Sequence, residues 1–370
     1  MTNALTTALG RQNSTGSTPL ALGTAYDTKY DTYLKLFSGE LFKGFQHNTI
    51  ARDLVMKRTL KNGKSLQFIY TGRMSSSYHE PGTPILGQEN ALPVAEKTIV
   101  MDDLLISSAF VYSLDETLAH YELRGEISKK IGYALAETYD RNIFRAITRG
   151  ARKASPISAT SREEPGGTQI QVGTGTGAAS DALDAAKLVT AFYDAAAVLD
   201  EKGVSSQGRV AVLNPRQYYS LIQQTGDNGL VNRDVQGSSL QSGNGVVEIA
   251  GIKIFKSMNI PFQGKFGTSA TIDNAGDFVG ASIEDGGGIN GVNNNYGEAN
   301  SFDTSCGLIF QKEAAGVVEA IGPQVQVTSG DVSVIYQGDV ILGRLAMGAD
   351  YLNPAAAVEL HTTNTAPTAF

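Results

Sequence analysis

Four histidines, one cysteine and a few short glycine-rich signatures are the residues of this chain best suited to act on a substrate. His47, His79, His120 and His361 are scattered, with no partner at metal-ligand spacing and no H-E-x-x-H pattern, so neither a metal site nor a general base is indicated. Gly63-Lys64-Ser65 spells the end of a phosphate-binding loop, but Arg58 stands where that motif needs its first glycine, and the following residues alternate like a strand. Gly286, Gly288 and Gly291 fit G-x-G-x-x-G, yet the run continues Val292-Asn293-Asn294-Asn295 with no helix to present an anion-binding N-terminus, which makes it a surface loop. Cys306 sits in an apolar strand candidate as a small buried hydrophobe, and no G-x-S-x-G elbow occurs. Acids pair at Asp102 and Asp103, Asp115 and Glu116, and Glu163 and Glu164. Neighbours on a strand point to opposite faces, so the first pair cannot act jointly on one substrate. No catalytic constellation stands out, and neither cofactor nor enzymatic activity is expected.

Composition narrows the classes further. The chain has 370 residues, 41% apolar and 18% charged, enough for two or three domains with a sizeable core and unlike a disordered or membrane-spanning chain. The single cysteine excludes an internal disulfide and a multi-cysteine zinc site. A net charge of −7 argues against general nucleic-acid binding, which needs clustered Lys and Arg. The densest basic cluster, Arg145, Arg149, Arg152 and Lys153, suits a helix C-terminus or a contact with an acidic neighbour. Residues 1–10 lack the pattern of a signal peptide, so an intracellular product is expected.

The elements that position these residues have unusual proportions. Leu66, Phe68 and Tyr70 alternate with Ser65, Gln67 and Ile69, predicting a strand over 64–70, and a second strand is predicted over 98–112. The connection carries Pro81, Pro84, Pro93, Gly72, Gly82 and Gly87, and is too long for an ordinary hairpin turn. Something outside its own domain must hold such a tip. A capping box of Ser113 with Glu116 then opens one long helix over 114–148, closed by Gly150. Ile127, Ile131, Ala134, Leu135, Tyr139, Ile143 and Ile147 form its apolar face, while Glu126, Lys129, Lys130, Glu137, Arg141 and Arg145 populate the remainder. At 1.5 Å per residue it would extend roughly 50 Å.

Around this pair the chain is more ordinary. Residues 1 to about 25 form a polar arm, and 155–180 a glycine-rich link. A helix is predicted over 181–202, stopped by Gly203, with Leu183, Ala186, Val189, Phe192, Tyr193, Ala196 and Leu199 on its buried side. Arg209 to Leu213 reads as a buried strand, and Asn214-Pro215 opens a short helix to Gln224. Further strands are predicted at 251–255, 270–272, 306–311, 316–327 and 332–341.

The order of parts resembles the tailed-phage capsid fold of the Hong Kong 97 type, an α+β fold. The run Asn62-Gly63-Lys64-Ser65 through Gln67-Phe68, then Gly72-Arg73 and Pro81-Gly82, is similar to the extended loop of major capsid proteins from short-tailed podoviruses of the coliphage T-seven group. That group is autographivirus-like, with a marine cyanophage among the sources the resemblance admits. Thr98-Ile99, Asp102, Leu104-Leu105, Tyr112 and His120-Tyr121-Glu122-Leu123-Arg124 with Glu126 carry the likeness into the helix. Ala346-Met347-Gly348, Leu352, Pro354 and Ala355-Ala356 carry it to the end, while 156–180 and 226–245 depart from it.

The resemblance implies an N-terminal arm at 1–57, an extended β-hairpin loop at 58–100, and a peripheral domain at 101–204 with a spine helix. An axial domain at 205–315 and a return to the peripheral domain with a C-terminal tail at 316–370 complete it. It implies hexamers and pentamers of this chain in an icosahedral shell of triangulation number seven, enclosing double-stranded DNA without sequence-specific binding. The implied partners are a scaffolding protein, a portal protein at one vertex and decoration or knob proteins, with no membrane; assembly would occur in the host cytoplasm. The scaffold is expected as a separate protein because no long charged helical segment precedes the arm. A negative shell suits enclosing DNA without gripping it. Lys64, Arg73, Tyr78, Glu80, Arg124, Arg141 and Arg145 are the candidates for contact between subunits, and the tip around 73–93 is expected over a neighbour. For Arg124, Arg141 and Arg145 a solvated helix face is the plain alternative. An encapsulin-like compartment shell and an α/β enzyme are the competing readings.

Overall fold

The computed structural model describes residues 49–74, 76, 78–82, 84, 92–118, 123–157, 164–173, 179–223, 248–260, 293, 294, 296, 305–327, 335–362 and 366. The expected arm up to residue 48, the strand candidate at 270–272, the glycine run at 286–291, His47 and His120 lie outside the described residues. In chain order the elements are α1 (Ala51–Leu54), β1 (Met56–Thr59), β2 (Ser65–Thr71), β3 (Val94–Val100), β4 (Leu105–Tyr112), α2 (Ser113–Leu118) and α3 (Leu123–Ala151). There follow β5 (Thr168–Gln171), α4 (Ala185–Glu201), β6 (Arg209–Leu213), α5 (Pro215–Gln223), β7 (Glu248–Ile249), β8 (Ile252–Lys256), β9 (Ser305–Gln311), β10 (Ala315–Val327), β11 (Gly338–Tyr351) and β12 (Ala357–His361). These divide between two compact units, one holding residues 104–137 and 321–346, the other 49–103, 138–320 and 347–370.

In the first unit β4 runs antiparallel to β11, from Leu105 opposite Leu345 to Tyr112 opposite Gly338. Ile131 and Leu135 of α3 pack on Val111 and Ile341, with Ile127 beside them, so the predicted apolar face buries as expected here. Ser113 is the first residue of α2 and its amide donates to the Gln337 carbonyl at 3.0 Å, while the Glu116 side chain of the predicted capping box lies outside the described residues. Of the strand predicted over 332–341, residues 332–334 lie outside the described residues and 335–337 are not extended, while β11 runs on from Gly338 to Tyr351.

The second unit is built on a six-stranded sheet in the order β5-β12-β9-β6-β8-β7. Its central strands β12, β9 and β6 are buried on both faces, as in the all-buried run Arg209–Leu213, and α4 and α5 pack Leu188, Phe192, Leu199 and Leu221 into one core with Leu213, Ile309 and Leu360. This sheet draws on residues 168–171 and 357–361 as well as on the stretch 205–315. Cys306 lies in that core, fully buried, and burial pushes its thiol pKa far up. Asp184 caps α4 by accepting from the Ala186 amide at 3.0 Å. At the other end Gly203 takes φ +75°, and the Gly203 and Val204 amides return to the carbonyls of Asp200 and Leu199, the paired bonds of a Schellman ending that only a residue tolerant of positive φ completes without strain. Leu188, Phe192, Ala195 and Leu199 form the buried stripe, which leaves Tyr193 exposed rather than buried as predicted. Asn214 accepts from the Arg216 amide and Gln217 accepts from the Asn214 amide, so a capping box accompanies the proline at the start of α5.

The C-terminal half of α3, in this same unit, departs most from expectation. Residues 139–148 are all buried, so the helix has no solvent-exposed face there, and Arg141 and Arg145 are 6% and 1% exposed. Gly150 does not close the helix. It lies inside the last turn, where an added Cβ would sit 2.8 Å from the Tyr351 Cβ, so its work is to let β11 approach. The helix of 29 residues spans about 44 Å at 1.5 Å per residue, and residues 119–122, between it and α2, lie outside the described set.

Candidate assembly surface

The hairpin β2–β3 pairs in full antiparallel register, Ser65 opposite Val100 through Thr71 opposite Val94. Its period of two separates two faces. Inward, Leu66 and Phe68 pack with Ile99, Met101, Val318 and Leu352. The Tyr70 hydroxyl donates to Asn353 Oδ1 at 3.0 Å, and burial followed by the Glu164 charge raises its pKa. Lys97 reaches Asp350 at 2.7 Å and lies 3.7 Å over the Tyr351 ring. Outward, Ile69 is 76% exposed and Val94 is exposed beside it. The stem therefore lies along its own subunit and presents an outer face on which Ile69 and Val94 stand exposed among Ser65, Gln67, Thr71, Glu96 and Thr98.

A polar knot holds the root of the stem. The second predicted strand, 98–112, breaks into β3 and β4 because Asp102 and its neighbours bond elsewhere. One oxygen of Asp102 accepts from the amides of Asn293 at 2.9 Å and Asn294 at 3.1 Å. The other accepts from the Asn294 side chain at 2.8 Å and the Tyr296 hydroxyl at 2.7 Å. The side-chain amides of Asn293 and Asn294 donate to the carbonyls of Met101 and Val100, which takes the place of a strand ladder. Burial and then the Asp102 charge raise the Tyr296 pKa. Lys64 joins the knot by donating to Asn293 Oδ1 at 3.1 Å.

At the far end of the stem the Gly72 amide donates to the Pro93 carbonyl at 2.8 Å, closing the ribbon. Arg73 comes next. Its guanidinium donates to the Lys202 carbonyl at 2.5 Å, and its Nε lies 3.5 Å from Glu164. Beyond it Met74, Tyr78, His79 and Glu80 are exposed, Tyr78 fully so.

The predicted contact residues thus fall into separate groups. Lys64 and Arg73 are engaged at the two ends of the stem, and Tyr78 and Glu80 stand on the tip. Arg124 lies in the first turn of α3, its side chain outside the described residues. Arg141 and Arg145 are buried in their own subunit, so the solvated-face alternative does not hold for them. In the basic cluster, Arg152 meets Glu359 with Nε to Oε2 at 2.8 Å and a terminal nitrogen to Oε1 at 2.7 Å, joined by Ser305 and Gln169. Asn293, Asn294 and Tyr296 are not among the residues that the sequence singles out, since their run reads there as a plain loop. The readable signal is Asp102-Asp103, two acids interrupting a strand pattern. Among the described residues no group of three or more His, Cys, Asp or Glu is placed to hold a metal, and no helix is long and apolar enough to cross a membrane.

The family model for Gp10A-like major capsid proteins matches residues 67–361. The chain belongs to that family. The Gp10A-like chain is 26% identical over 195 residues to the major capsid protein of Escherichia phage T7, covering 52% of this chain and 56% of that one. With the major capsid protein of Enterobacteria phage T3 it shares 29% over 119 residues, 32% of this chain and 34% of the relative. It thus spans about half the length, or less, of the curated relatives it matches. The capsid structure of cyanophage P-SCSP1u is similar over 95% of this chain and 100% of that one, at 32% identity and a TM-score of 0.71. The mature capsid of bacteriophage PhiM1 shares the fold, with a TM-score of 0.64 at 14% identity over 88% and 91% of the two chains. The expected α+β capsid fold of Hong Kong 97 type and the podovirus family are therefore those found. The family is one of structural capsid proteins, not enzymes, and these relatives do not favour the encapsulin-like alternative.

Proposed function

We propose that this Gp10A-like chain assembles as hexamers and pentamers into an icosahedral shell, with triangulation number seven, around the double-stranded DNA of a tailed phage. The observation that carries the reading is the family match over residues 67–361, which takes in nearly all of the hairpin and the whole of α3. The form of the hairpin supports it, since a stem fixed to its own subunit presents an exposed tip, and the exposed side chains of Ile69 and Val94, to whatever lies beside it. In this reading the tip around 73–93 lies over an adjacent subunit, and Lys64, Arg73, Tyr78, Glu80 and Arg124 serve the contacts between subunits. The reading further includes an arm at 1–57, peripheral and axial domains, a scaffolding protein during assembly in the host cytoplasm, a portal at one vertex and decoration proteins outside. A net charge of −7 supports enclosing DNA without gripping it. Electron microscopy of the expressed protein, alone and with a scaffolding protein, tests this. Closed shells of uniform size are expected with the scaffold, and dispersed monomers under both conditions would sink the reading.

A further inference from the structure

We propose that Arg73 is the positioning residue of the hairpin tip: it catches the tip on a receptor built from the C-terminal end of α4 and Glu164, and so sets where the tip points. This rests on the reading that the tip meets a neighbouring subunit.

The receptor is assembled from one residue's two ends. Lys202, just past α4, offers its carbonyl to Arg73 at 2.5 Å. That carbonyl is one of the groups a helix leaves without an intrahelical donor, at the negative end of the helix dipole. The ammonium of the same lysine donates to the Gly166 carbonyl at 2.6 Å and to the Thr168 hydroxyl. It thereby fixes the stretch that carries Glu164, whose carboxylate takes the Arg73 Nε at 3.5 Å. Burial of this lysine lowers its pKa to about 8, as a group inside the structure rather than a loose surface chain. Gly203 lies beneath, its Cα bare where a Cβ would stand 3.6 Å from the guanidinium. A planar fork with donors on several edges suits a carbonyl and a carboxylate at an angle, which a lysine could not serve together.

Position along the chain gives the contact its consequence. Up to Gly72 the hairpin is fixed by the root knot, the inner-face core, Tyr70, Lys97 and the Gly72–Pro93 bond. Arg73 is the first residue beyond that last bond, so one contact there governs the direction of the residues after it. The contact is half exposed, 51% at the Arg73 side chain, so it holds the tip without contributing much to the fold.

The test uses the full-length chain with Arg73→Ala and Arg73→Lys, read by amide hydrogen exchange, thermal unfolding and scaffold-assisted assembly. Arg73→Ala is expected to raise exchange at the Gly72 amide, which closes the ribbon on Pro93, roughly tenfold while the global unfolding midpoint stays within about 2 °C. Arg73→Lys is expected to recover part of the protection. Increased exchange with impaired assembly supports the inference and the tip reading together. Increased exchange with normal assembly supports the catch but overturns the tip-to-neighbour reading. Unchanged exchange in Arg73→Ala overturns the catch, whatever assembly does.

Discussion

Arg152 and Arg73 each fasten a distant part of the chain to a carboxylate, and the surroundings give the two contacts opposite uses. Arg152 and Glu359 are 1% and 0% exposed, bonded through both carboxylate oxygens, with Ser305 and Gln169 completing the set. Arg73 and Glu164 are 51% and 12% exposed and meet at 3.5 Å. In the first place water cannot replace either partner, so the pair is part of the fold. In the second, water competes throughout, so the contact can open without unfolding anything. A shell subunit needs both kinds, one to keep its body rigid and one to leave its reach adjustable.

Removing half of the buried pair is the strongest way to break this comparison. Arg152→Ala leaves Glu359 as a buried charge, and is expected to cost about 3–5 kcal/mol in equilibrium denaturation of the full-length protein. Replacing both partners, Arg152→Met with Glu359→Leu, should recover most of that loss, because the penalty comes from the orphaned charge rather than from a missing attraction. A cost under about 1 kcal/mol for the single variant would place Arg152 in the same class as Arg73 and dissolve the distinction.

The root knot should fall between the two. Asp102→Ala removes the acceptor of four donors, from Asn293, Asn294 and Tyr296, and is expected to cost about 2–3 kcal/mol. The distinguishing measurement is local, since amide exchange should rise at 293–296 and 100–104 before it rises in the six-stranded sheet. Uniform exchange throughout would show that the knot is no separate unit.

Legibility in the sequence depends on whether a feature is local. The strand at 209–213, the Gly203 helix stop and the alternating face of β2 each depend on a few consecutive residues, and all three appear where the pattern puts them. The family resemblance draws on collinear short matches, which is why it identifies the fold although no single motif could. The Asp102 knot joins residues more than 190 apart in sequence, and its asparagines carry no periodicity to mark them. The charged positions of α3 mislead for a related reason. Periodicity assumes one dry and one wet face, but at residues 139–148 the protein surrounds the helix, and arginines that look solvated in sequence are buried.

Asp140 sharpens the comparison from the side of pH. Like Glu359 it is a buried carboxylate, but amides rather than a guanidinium hold it: Ile50 at 2.9 Å, Ala51 at 3.2 Å and the Asn259 side chain at 3.4 Å. Burial raises its pKa from 3.8 to about 6, against the lowering effect of those bonds. The folded state therefore holds this proton more tightly than the unfolded chain. The resulting stability is fully present below about pH 4 and is lost as pH rises through about 6. Between about pH 7.5 and about pH 4 the native chain should gain on the order of 2 kcal/mol relative to Asp140→Asn, measured by urea unfolding at each pH. Parallel pH profiles for the two proteins would show that Asp140 titrates normally.

The smallest effect on the subunit is expected at the tip. Tyr78 is fully exposed and lies beyond the Arg73 catch, so Tyr78→Ala should change the stability of the subunit by less than about 0.5 kcal/mol. An aromatic ring left in water gains only when a partner covers it, and aromatic residues are enriched where interfaces concentrate their energy. If the tip serves the neighbour, the same substitution lowers the yield or thermal resistance of assembled particles while leaving the dispersed chain untouched. That pairing inverts Arg152→Ala, which is expected to damage the subunit first and the particle as a consequence. Particles of Tyr78→Ala that match the native ones in yield and melting would move the working contact away from Tyr78, and point to the exposed Ile69 and Val94 on the stem as the part of the hairpin that meets another copy.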